Sequence, residues 1–424
     1  MKSIEPVKRL CGEIRVPGDK SISHRAVMLG AISEGRTSVE GLLDCDDCLY
    51  TIRAFREMGV AIETSNGRTT IDGAGLRGLK KPKAALFAGE SGTTMRILPG
   101  ILAGQNFEAT ITGAPSLLHR PMKRIVEPIS LMGVDIKASH LGLPPILIKG
   151  GDVMPIDYKM PVPSAQVKSA ILLAGLYANG LTTVEEKFKS RDHTERMMEH
   201  FGAAITSKGM SVSVLGGVEL SARSFAVPGD ISSAAFFMVG ASILDGSTVL
   251  IKDVSVNPTR SGLIESMTNM GAKIKVINRR DLFEPYADIE VSAAETRGIT
   301  IEESAIPGLI DELPALFVLA AFSKGRTIVK GAGELRVKEA DRINSMGQNL
   351  RSMGASFGVD GDSIIIEGKE SLEGAMLKSF GDHRTCMAMV IAALASKGRS
   401  DIDDVSCVSK SFPGFFDILG SLIN

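Results

Sequence analysis

The segments VPGDKSISHRAVMLG (residues 16–30) and VPGDISSAAFFMVG (residues 227–240) decide the fold, because both begin with the same four residues and then become apolar. Pro and Gly interrupt the preceding strand pattern, and the long apolar run after them favours a buried helix. The two copies lie about half a chain apart, which indicates an internal repeat. We expect them to mark the points where the chain crosses between two domains.

The same apolar helix, followed by Gly in a polar turn and a β-branched strand, recurs about six times at intervals of about 70 residues. Examples are TMRILPGILAGQNFEATITG (94–113), VKSAILLAGLYANGLTTVEE (167–186) and ALFVLAAFSKGRTIVKG (315–331). Between these copies, amphipathic helices end at Met-Gly or Phe-Gly and lead into alternating β-branched residues, as in REMGVAIET and EHFGAAITS. Each repeat is therefore interpreted as a βαβαββ unit of an α/β protein.

A chain of 424 residues is too long for one ordinary core, so we expect two domains of three units each. The two VPGD segments place the first domain at residues 20–228 and the second at 1–19 plus 229–424. The sixth unit lacks a strand, and we expect the N-terminal CGEIRV to supply it. We expect the active site in the cleft between the domains.

The composition excludes several classes of partner. The formal net charge is −1, so neither nucleic acid nor an acidic membrane is an expected partner. The opening segment lacks the apolar run of a signal peptide, and no stretch reaches the roughly 18 apolar residues of a membrane span. Five cysteines without framework spacing are typical of a reducing compartment. We therefore expect a cytoplasmic protein.

Metal and redox sites are not expected from the sequence. Cys45 and Cys48 form a CxxC pair, but Asp46 and Asp47 between them are expected to raise the pKa of the thiols, which disfavours both roles. The sequence contains no H-E-x-x-H motif, and its histidines have no carboxylates in metal-ligand spacing. No metal ligand is predicted.

The strongest local motif is Gly18-Asp19-Lys20-Ser21, followed one turn later by Arg25, where a strand ends and a helix begins. A helix N-terminus offers backbone N–H groups and the positive end of a dipole, and the Lys, Ser and Arg side chains add donors. The motif predicts an anion site. It is not a Walker loop, because the glycines are misplaced. The alternative is that Ser21 only caps the helix while Lys20 and Arg25 extend into solvent.

Similar loop-to-helix junctions recur at GESGTTMR (89–96), PSAQVK (163–168) and GDHR (381–384). Each combines small or hydroxyl residues with a cation or an amide, and repetition at equivalent positions of a repeat would direct several helix N-termini to a common region. Other segments add charges of both signs, each of which could be only a surface ion pair. They are HRP (119–121), SRDHTE (190–195), NPTR (257–260), IDE (310–312), RVKEADR (336–342) and Lys410. Asp311 could also be only a helix cap.

Taken together, GDKS, GESGTTMR, SAQVK, RDHTE, NPTR, LRVKEADR, GDHR and KSFP resemble, in this order across nearly the whole chain, the 5-enolpyruvylshikimate-3-phosphate synthase family. The resemblance implies the enolpyruvyl transferase fold, an inside-out α/β barrel-like arrangement of two similar domains. It implies transfer of the enolpyruvyl group of phosphoenolpyruvate to the 5-hydroxyl of shikimate 3-phosphate, with release of phosphate, in the pathway to chorismate and aromatic amino acids. No cofactor is implied, and we expect a monomer.

The resemblance also assigns roles to residues of the matching motifs. Asp311 would accept the hydroxyl proton, and Glu339 would transfer protons at the methylene carbon, with Lys20 and His383 as possible partners. The residues expected to contact shikimate 3-phosphate are Lys20, Ser21, Arg25, Ser164, Ala165, Gln166, Arg191, Asp311 and Lys338. Those expected to contact phosphoenolpyruvate are Lys20, Gly92, Arg120, Gln166, Arg342, Arg384 and Lys410.

The motifs SAQ-x-K, R-x-H-x-E and N-x-T-R resemble the second class of this family, which is associated with tolerance to glyphosate, a competitor of phosphoenolpyruvate. Two positions depart from that pattern. Glu90 stands where Asn is common, and Gly92 stands where a tolerant member carries Ala. Tolerance is therefore a hypothesis, which inhibition constants measured at varied phosphoenolpyruvate would test.

Two other functions remain as alternatives. The enolpyruvyl transferase that acts on UDP-N-acetylglucosamine has a similar scaffold, but it usually carries a reactive Cys in a mobile glycine-bearing loop. None of the five cysteines lies in such a loop; they are Cys11, Cys45, Cys48, Cys386 and Cys407. A non-catalytic anion-binding module would need the cations but not Asp311 and Glu339 among them.

Overall fold

A computed structural model describes residues 1–423 of the chain and confirms the predicted α/β class. The helices are α1 (Lys20–Ala31), α2 (Asp46–Glu57), α3 (Gly92–Leu102), α4 (Pro115–Leu118), α5 (Lys123–Leu131), α6 (Ala165–Gly175), α7 (His193–His200), α8 (Ile231–Ile243), α9 (Gly262–Asn269), α10 (Leu313–Phe322), α11 (Arg342–Ser352), α12 (His383–Leu394) and α13 (Phe415–Leu422). Short 3-10 helices lie at His140–Gly142, Glu303–Gly308, Gly333–Val337 and Ser406–Lys410.

The strands are short and numerous, as expected for repeated small sheets. They are β1 (Lys2–Ile4), β2 (Cys11–Arg15), β3 (Glu34–Glu40), β4 (Ala61–Ser65), β5 (Arg68–Ala74), β6 (Leu86–Phe87), β7 (Glu108–Thr112), β8 (Asp135–Ala138), β9 (Ile146–Lys149), β10 (Asp157–Lys159), β11 (Leu181–Glu185), β12 (Ile205–Lys208), β13 (Ser211–Leu215), β14 (Ser224–Ala226), β15 (Thr248–Ser255), β16 (Lys273–Asp281), β17 (Pro285–Ser292), β18 (Thr300–Ile301), β19 (Arg326–Val329), β20 (Ser356–Asp360), β21 (Ser363–Glu367), β22 (Met376–Leu377) and β23 (Ser400–Ile402).

The pattern of residue contacts divides the chain into two compact units. One, here called the continuous unit, consists of Gly18–Val227. The other, here called the split unit, consists of Met1–Pro17 and the chain from Pro228 onward. The chain therefore passes from one unit to the other within each of the two VPGD segments.

Each unit contains three small sheets, and the pairing order repeats from sheet to sheet. Sheets β6-β7-β9-β8, β10-β11-β13-β12 and β18-β19-β21-β20 have one parallel pair followed by antiparallel pairs. A parallel pair needs a crossover helix, whereas an antiparallel pair can close through a short turn. The pairing therefore agrees with the predicted βαβαββ unit.

The two N-terminal strands join different sheets of the split unit. β2 pairs in parallel with β15, with Ile14 opposite Ile251, and completes the fourth repeat. β1 pairs antiparallel with β23, with Lys2 opposite Ile402, in the sixth repeat. The prediction that CGEIRV completes the sixth repeat is therefore wrong. β15 offers a long open edge to the five residues of β2, whereas β23 has only three residues to pair.

Three helices form the core of each unit, and each of them is buried on nearly all sides. In the split unit these are α8, α10 and α12, and every residue of α10 from Leu313 to Ala321 is buried. In the continuous unit α1, α3 and α6 have the same place and are almost completely buried. A helix without a polar face must be covered all round, which the sheets and outer helices do. None of the helices within residues 1–423 is long and apolar enough to cross a membrane.

The outer helices end at glycines in the left-handed conformation, as the Met-Gly and Phe-Gly pattern predicted. The five glycines of this pattern have φ between +83° and +99°; they are Gly59, Gly133, Gly202, Gly271 and Gly354. Only glycine adopts this conformation without steric cost, so each one ends its helix and directs the chain into the next strand.

Candidate active site

The predicted loop-to-helix junctions are helix starts with capped first turns. α1, α3, α6 and α12 each follow a residue whose side chain accepts a hydrogen bond from the first-turn backbone: Asp19, Ser91, Ser164 and Asp382. The cap of α1 is Asp19, so the alternative in which Ser21 caps this helix is wrong. Ser21 lies in the first turn, as Ala165 and Gln166 do in α6. First-turn N–H groups suit anions.

Lys20, the first residue of α1, is held by an ion pair inside the continuous unit. Its Nζ lies 3.0 Å from Oδ2 of Asp47 in the first turn of α2. The two side chains are only 15% and 13% exposed, so water screens this pair weakly. The ammonium is therefore fixed at the start of α1, and an anion bound there shares it with Asp47.

Arg25 is buried and connects three helices of the same unit. Its Nε donates to Thr194 Oγ1 at 2.6 Å, its Nη2 to Ser169 Oγ at 2.8 Å, and its Nη1 to the carbonyl of Ser21 at 2.8 Å. The alternative in which Arg25 extends into solvent is therefore wrong. Its guanidinium holds α1 against α6 and α7. The half-buried Arg191 lies two residues before the start of α7.

A second group of cations surrounds the start of α3. A Cβ added at Gly92 would lie 2.7 Å from Nη1 of Arg96 and 3.0 Å from Nη1 of Arg120, so both guanidinium groups flank this glycine. Arg96 Nη1 donates to Gln166 Oε1 at 3.2 Å, and Gln166 Nε2 donates to Thr93 Oγ1 at 3.3 Å. The structure thus brings together three predicted ligands and adds Arg96, which no residue prediction included. The sequence feature that could have identified Arg96 is its position in GESGTTMR, one turn after the start of α3.

A buried chain of hydrogen bonds joins the starts of α1 and α3. His24 Nδ1 lies 2.7 Å from Thr51 Oγ1, which lies 2.7 Å from Thr94 Oγ1, and that hydroxyl donates to Ser91 Oγ at 2.8 Å. Burial, followed by the charge of Lys20, lowers the pKa of His24 well below its usual value. The imidazole is therefore neutral at neutral pH and serves as a fixed connection between the two helix starts.

In the split unit, three carboxylates surround the guanidinium of Arg342. Its Nε donates to Asp382 Oδ2 at 2.8 Å, its Nη1 to Asp311 Oδ1 at 3.2 Å, and its Nη2 to Glu339 Oε2. The Arg342 side chain is 1% exposed. Burial alone would lower its pKa, but the three carboxylates outweigh burial and raise it. The structure therefore places both predicted acid-base residues, Asp311 and Glu339, on one fixed cation.

Asp311 lies between two arginines. Besides its contact with Arg342, its Oδ2 is 3.6 Å from Nη2 of Arg384, whose Nη1 donates to the Asp311 carbonyl at 3.0 Å. The cap position of α10 is Glu312, so the alternative in which Asp311 is only a helix cap is wrong. The Asp311 carboxylate is 16% exposed, so it is fixed by cations yet open enough to receive a proton from a ligand.

Three further predicted residues of the split unit lie close to these carboxylates or to the start of α12. Burial lowers the pKa of Lys338 to about 8, although the charge of Asp311 opposes this shift. Lys410 donates from Nζ to the carbonyl of Gly381 at 3.2 Å, directly before the residue that caps α12. His383, the first residue of α12, is buried.

The CxxC pair lies buried at the start of α2. Cys45 caps α2 without a side-chain hydrogen bond to that helix, and both Cys45 and Cys48 are buried. Burial raises the pKa of Cys48, but a hydrogen bond with Cys48 lowers that of Cys45, so the expected increase is wrong for Cys45. Across residues 1–423, no group of three or more His, Cys, Asp or Glu side chains is placed to hold a metal ion.

Comparisons with known proteins agree on one family. The family model for EPSP synthase (3-phosphoshikimate 1-carboxyvinyltransferase) matches residues 4–419. The chain is 48% identical over 423 residues to the 3-phosphoshikimate 1-carboxyvinyltransferase of Geobacter sp. (strain M21), covering 99% of both chains. It is 50% identical over 420 residues to that of Methylococcus capsulatus (strain Bath), covering 98% of this chain and 96% of the relative.

A solved structure of EPSP synthase from Acinetobacter baumannii matches with a TM-score of 0.89 and 46% sequence identity, covering 99% of this chain and 97% of that one. A second solved EPSP synthase from the same organism matches with a TM-score of 0.88. These similarities extend over nearly the whole chain, as the motifs do. The chain therefore belongs to the EPSP synthase family, and the predicted fold class and 3-phosphoshikimate 1-carboxyvinyltransferase activity are confirmed.

Proposed function

We propose that the residues described above transfer the enolpyruvyl group of phosphoenolpyruvate to the 5-hydroxyl of shikimate 3-phosphate. The observation that carries this proposal is the position of Asp311 between Arg342 and Arg384, with Glu339 on the same guanidinium as Asp311. In a module that only binds anions, two carboxylates beside the cations would repel the ligand. They are useful if the site must also accept and donate protons.

Shikimate 3-phosphate is proposed to bind where first-turn N–H groups and cations meet. In the continuous unit, phosphate and ring oxygens would accept hydrogen bonds at the starts of α1 and α6, where charge-assisted bonds from Lys and Arg are strong. The proposed contacts there are Lys20, Ser21, Arg25, Ser164, Ala165, Gln166 and Arg191. The split unit would contribute Lys338 and Asp311, which places the proposed base at the 5-hydroxyl.

Phosphoenolpyruvate is proposed to bind at guanidinium groups, whose planar forks match carboxylate and phosphate. The proposed contacts are Lys20, Gly92, Arg120 and Gln166 of the continuous unit and Arg342, Arg384 and Lys410 of the split unit. Arg342 donates one N–H to each of three carboxylates, which leaves two of its five N–H groups for the substrate.

The proposed reaction moves protons at two atoms. An acid protonates the methylene carbon of phosphoenolpyruvate, the 5-hydroxyl oxygen attacks the cationic carbon that results, and Asp311 takes the hydroxyl proton. Phosphate then leaves the tetrahedral intermediate as a proton is removed from the new methyl group, which restores the vinyl group. Glu339 is proposed for both transfers at this carbon, assisted by Lys20 or His383. Fixed cations stabilise the developing charge best where water is excluded.

A coupled assay of phosphate release tests the proposal. We expect release from phosphoenolpyruvate only when shikimate 3-phosphate is also present, and no change when a chelator is added, because the proposed steps use only protons and fixed cations. Release that ignores shikimate 3-phosphate would contradict the proposal. Replacing shikimate 3-phosphate by UDP-N-acetylglucosamine tests the nearest alternative acceptor, and release with that sugar nucleotide would favour the alternative.

Lys338 predicts a pH dependence of substrate binding. Its lowered pKa of about 8 means that the free enzyme loses this charge as the pH rises above 8. Because the neutral amine binds phosphate or carboxylate less well, kcat/KM for shikimate 3-phosphate should fall above this pH. A Lys338→Arg variant keeps its charge and should lose this decrease. The same decrease in both enzymes would contradict the role of Lys338.

Gly92→Ala is expected to raise the KM for phosphoenolpyruvate by about tenfold. The methyl group displaces two guanidinium groups, which weakens their charge-assisted contacts with the substrate. The added Cβ would lie 2.7 Å from Arg96 Nη1 and 3.0 Å from Arg120 Nη1, so both side chains must shift. Steady-state kinetics with each substrate varied measures this. A Cβ at Gly151 would meet no atom within 4 Å, so Gly151→Ala should leave both KM values unchanged. An unchanged KM in Gly92→Ala would contradict the proposed contact.

We further propose that the protein acts as a monomer in the cytoplasm, without a nucleic acid or membrane partner. The near-neutral formal charge of −1 supports the lack of such partners. None of the five cysteines, all of which lie within residues 1–423, forms a disulfide, which suits a reducing compartment. Light scattering of the purified protein at several concentrations tests the monomer, and a constant dimer mass would contradict it.

A further inference from the structure

Lys168 lies fully buried between two buried glutamates of the continuous unit. Its Nζ is 2.7 Å from Glu186 Oε2 and 2.6 Å from Glu195 Oε1, and it donates to the carbonyl of Ser190 at 3.3 Å. The three charged side chains are 0%, 2% and 5% exposed. None of them has a role in the reaction proposed above.

Three full charges in a protein interior need a reason. Burial raises the pKa of Glu195, although the charge of Lys168 opposes this shift. Burial would lower the pKa of Lys168, but the two glutamates outweigh burial and raise it. Apolar side chains of similar volume often give equal or greater stability than a buried ion pair. The triad is therefore better explained by the position that it imposes on the chain than by stability.

The triad determines the path of residues 187–192. Glu186 directly follows β11 and Glu195 lies in the first turn of α7, so Lys168 holds both ends of this connecting segment. Its bond to the Ser190 carbonyl holds the middle, and Glu186 Oε1 accepts hydrogen bonds from both N and Oγ of Ser190. Arg191 comes next in the chain. Its backbone position is therefore set by contacts with Lys168 and Glu186.

The turn of α6 that contains Lys168 is connected to the proposed phosphate site in two more ways. The backbone N–H of Lys168 donates to the carbonyl of Ser164, the cap residue of α6, at 3.0 Å. The next residue, Ser169, lies 2.6 Å from Thr194 Oγ1, which also accepts from Arg25. The segment 187–192 is thus attached to the helix whose start is proposed to bind shikimate 3-phosphate.

We propose that Lys168 is a positioning residue, which holds segment 187–192 so that Arg191 meets the phosphate of shikimate 3-phosphate at the start of α6. This inference rests on the proposed function, because it assumes that Arg191 binds that substrate. The Lys of SAQVK and the Glu of RDHTE form one ion pair, so these two motifs meet in the folded chain.

A double-mutant cycle tests whether Lys168 acts through Arg191. Lys168→Met and Arg191→Met should each raise the KM for shikimate 3-phosphate by about tenfold, as expected for loss of one charge-assisted contact. The KM for phosphoenolpyruvate should change by less than about twofold, because a positioning role for one substrate is not a general loss of structure. In the Arg191→Met background, the further change Lys168→Met should add little.

Additive effects of the two substitutions would overturn the inference, and so would an equal rise of both KM values in Lys168→Met. Lys189→Met is the matched control, because it removes an exposed cation of the same segment. It should leave the KM for shikimate 3-phosphate unchanged. A rise equal to that of Lys168→Met would mean that the charge of the segment matters and not its position, which would also overturn the inference.

A second variant distinguishes an effect of Lys168→Met on substrate binding from an effect on folding. Lys168→Met leaves two carboxylates buried without their cation, so thermal unfolding of each variant is measured first. If this variant does not fold, Lys168→Met/Glu186→Gln/Glu195→Gln takes its place in the cycle with the same expectation, because neutral side chains cannot hold the Ser190 carbonyl as an ammonium does. If Arg191→Met leaves the KM unchanged, the proposed role of Arg191 is wrong and the inference is overturned with it. If Arg191→Met raises the KM for shikimate 3-phosphate as expected but the effects of the two substitutions are additive, the inference is contradicted while the proposed role of Arg191 stands.

Discussion

Replacing Asp311 by Asn is expected to lower kcat by about two to four orders of magnitude, the usual contribution of one general acid or base. The amide has the shape of the carboxylate, its oxygen can still accept a hydrogen bond from Arg342, and Arg384 keeps its bond to the backbone carbonyl. The amide cannot, however, take the proton of a substrate hydroxyl. Binding of shikimate 3-phosphate should therefore persist. Phosphate release at saturating substrates measures the first effect, and titration calorimetry measures the second.

Asp341→Asn is the matched control for this experiment. Asp341 caps α11 by accepting from the N–H of Asn344 at 3.0 Å, and Asn is an equally good cap. The same chemical change at this position should leave kcat and stability nearly unaltered. A variant Asp311→Asn that keeps more than about a tenth of the normal kcat would contradict the assignment of a general base.

Replacing Arg342 by Met is expected to lower the free energy of unfolding by about 3–5 kcal/mol, the cost of removing one partner from a buried ion pair. Asp382, Asp311 and Glu339 would lose their shared cation, and the first of these is completely buried. The KM for phosphoenolpyruvate should rise as well, because the substrate loses a fixed guanidinium. Urea unfolding measures the stability, and steady-state kinetics measures the binding.

Arg384→Met separates these two effects. Arg384 contacts one of the three carboxylates, Asp311, at 3.6 Å, so its loss should cost less than about 2 kcal/mol of stability. Its effect on the KM for phosphoenolpyruvate should nevertheless be comparable, since both arginines are proposed ligands. If both variants lose the same free energy of unfolding, the claim that Arg342 stabilises the fold as the shared cation of three carboxylates is contradicted.

Much of the fold could be predicted because it is encoded locally. Apolar runs such as LPALFVLAAF predict buried helices wherever they occur, and the Gly after each outer helix has the positive φ that its position requires. The partner of a strand is a different matter. Alternating residues identify a strand but not the edge that it joins, which is why β2 was assigned to the wrong repeat.

The candidate site was predictable to the extent that its residues lie at helix starts. Lys20, Gly92 and Gln166 could be found because the same junction recurs in a repeat. Their partners could not, since each pair is formed by segments that meet only in the folded chain. Arg96 beside Gln166 and Asp47 beside Lys20 are of this kind, and although Arg96 stands in the GESGTTMR junction, that motif does not predict its contact with Gln166.

The pairing of β1 and β2 has a consequence for how the protein folds as it is synthesised. The ribosome makes these strands before their partners, because β2 pairs with β15 and β1 with β23, with Lys2 opposite Ile402. Closing such long loops is entropically costly and slow, and domains made earlier fold earlier. Residues 18–227 are complete before either partner strand exists, since β15 begins at Thr248 and β23 only at Ser400. β1 and β2 are therefore among the last strands to reach their native place, and until their partners are made they remain unpaired.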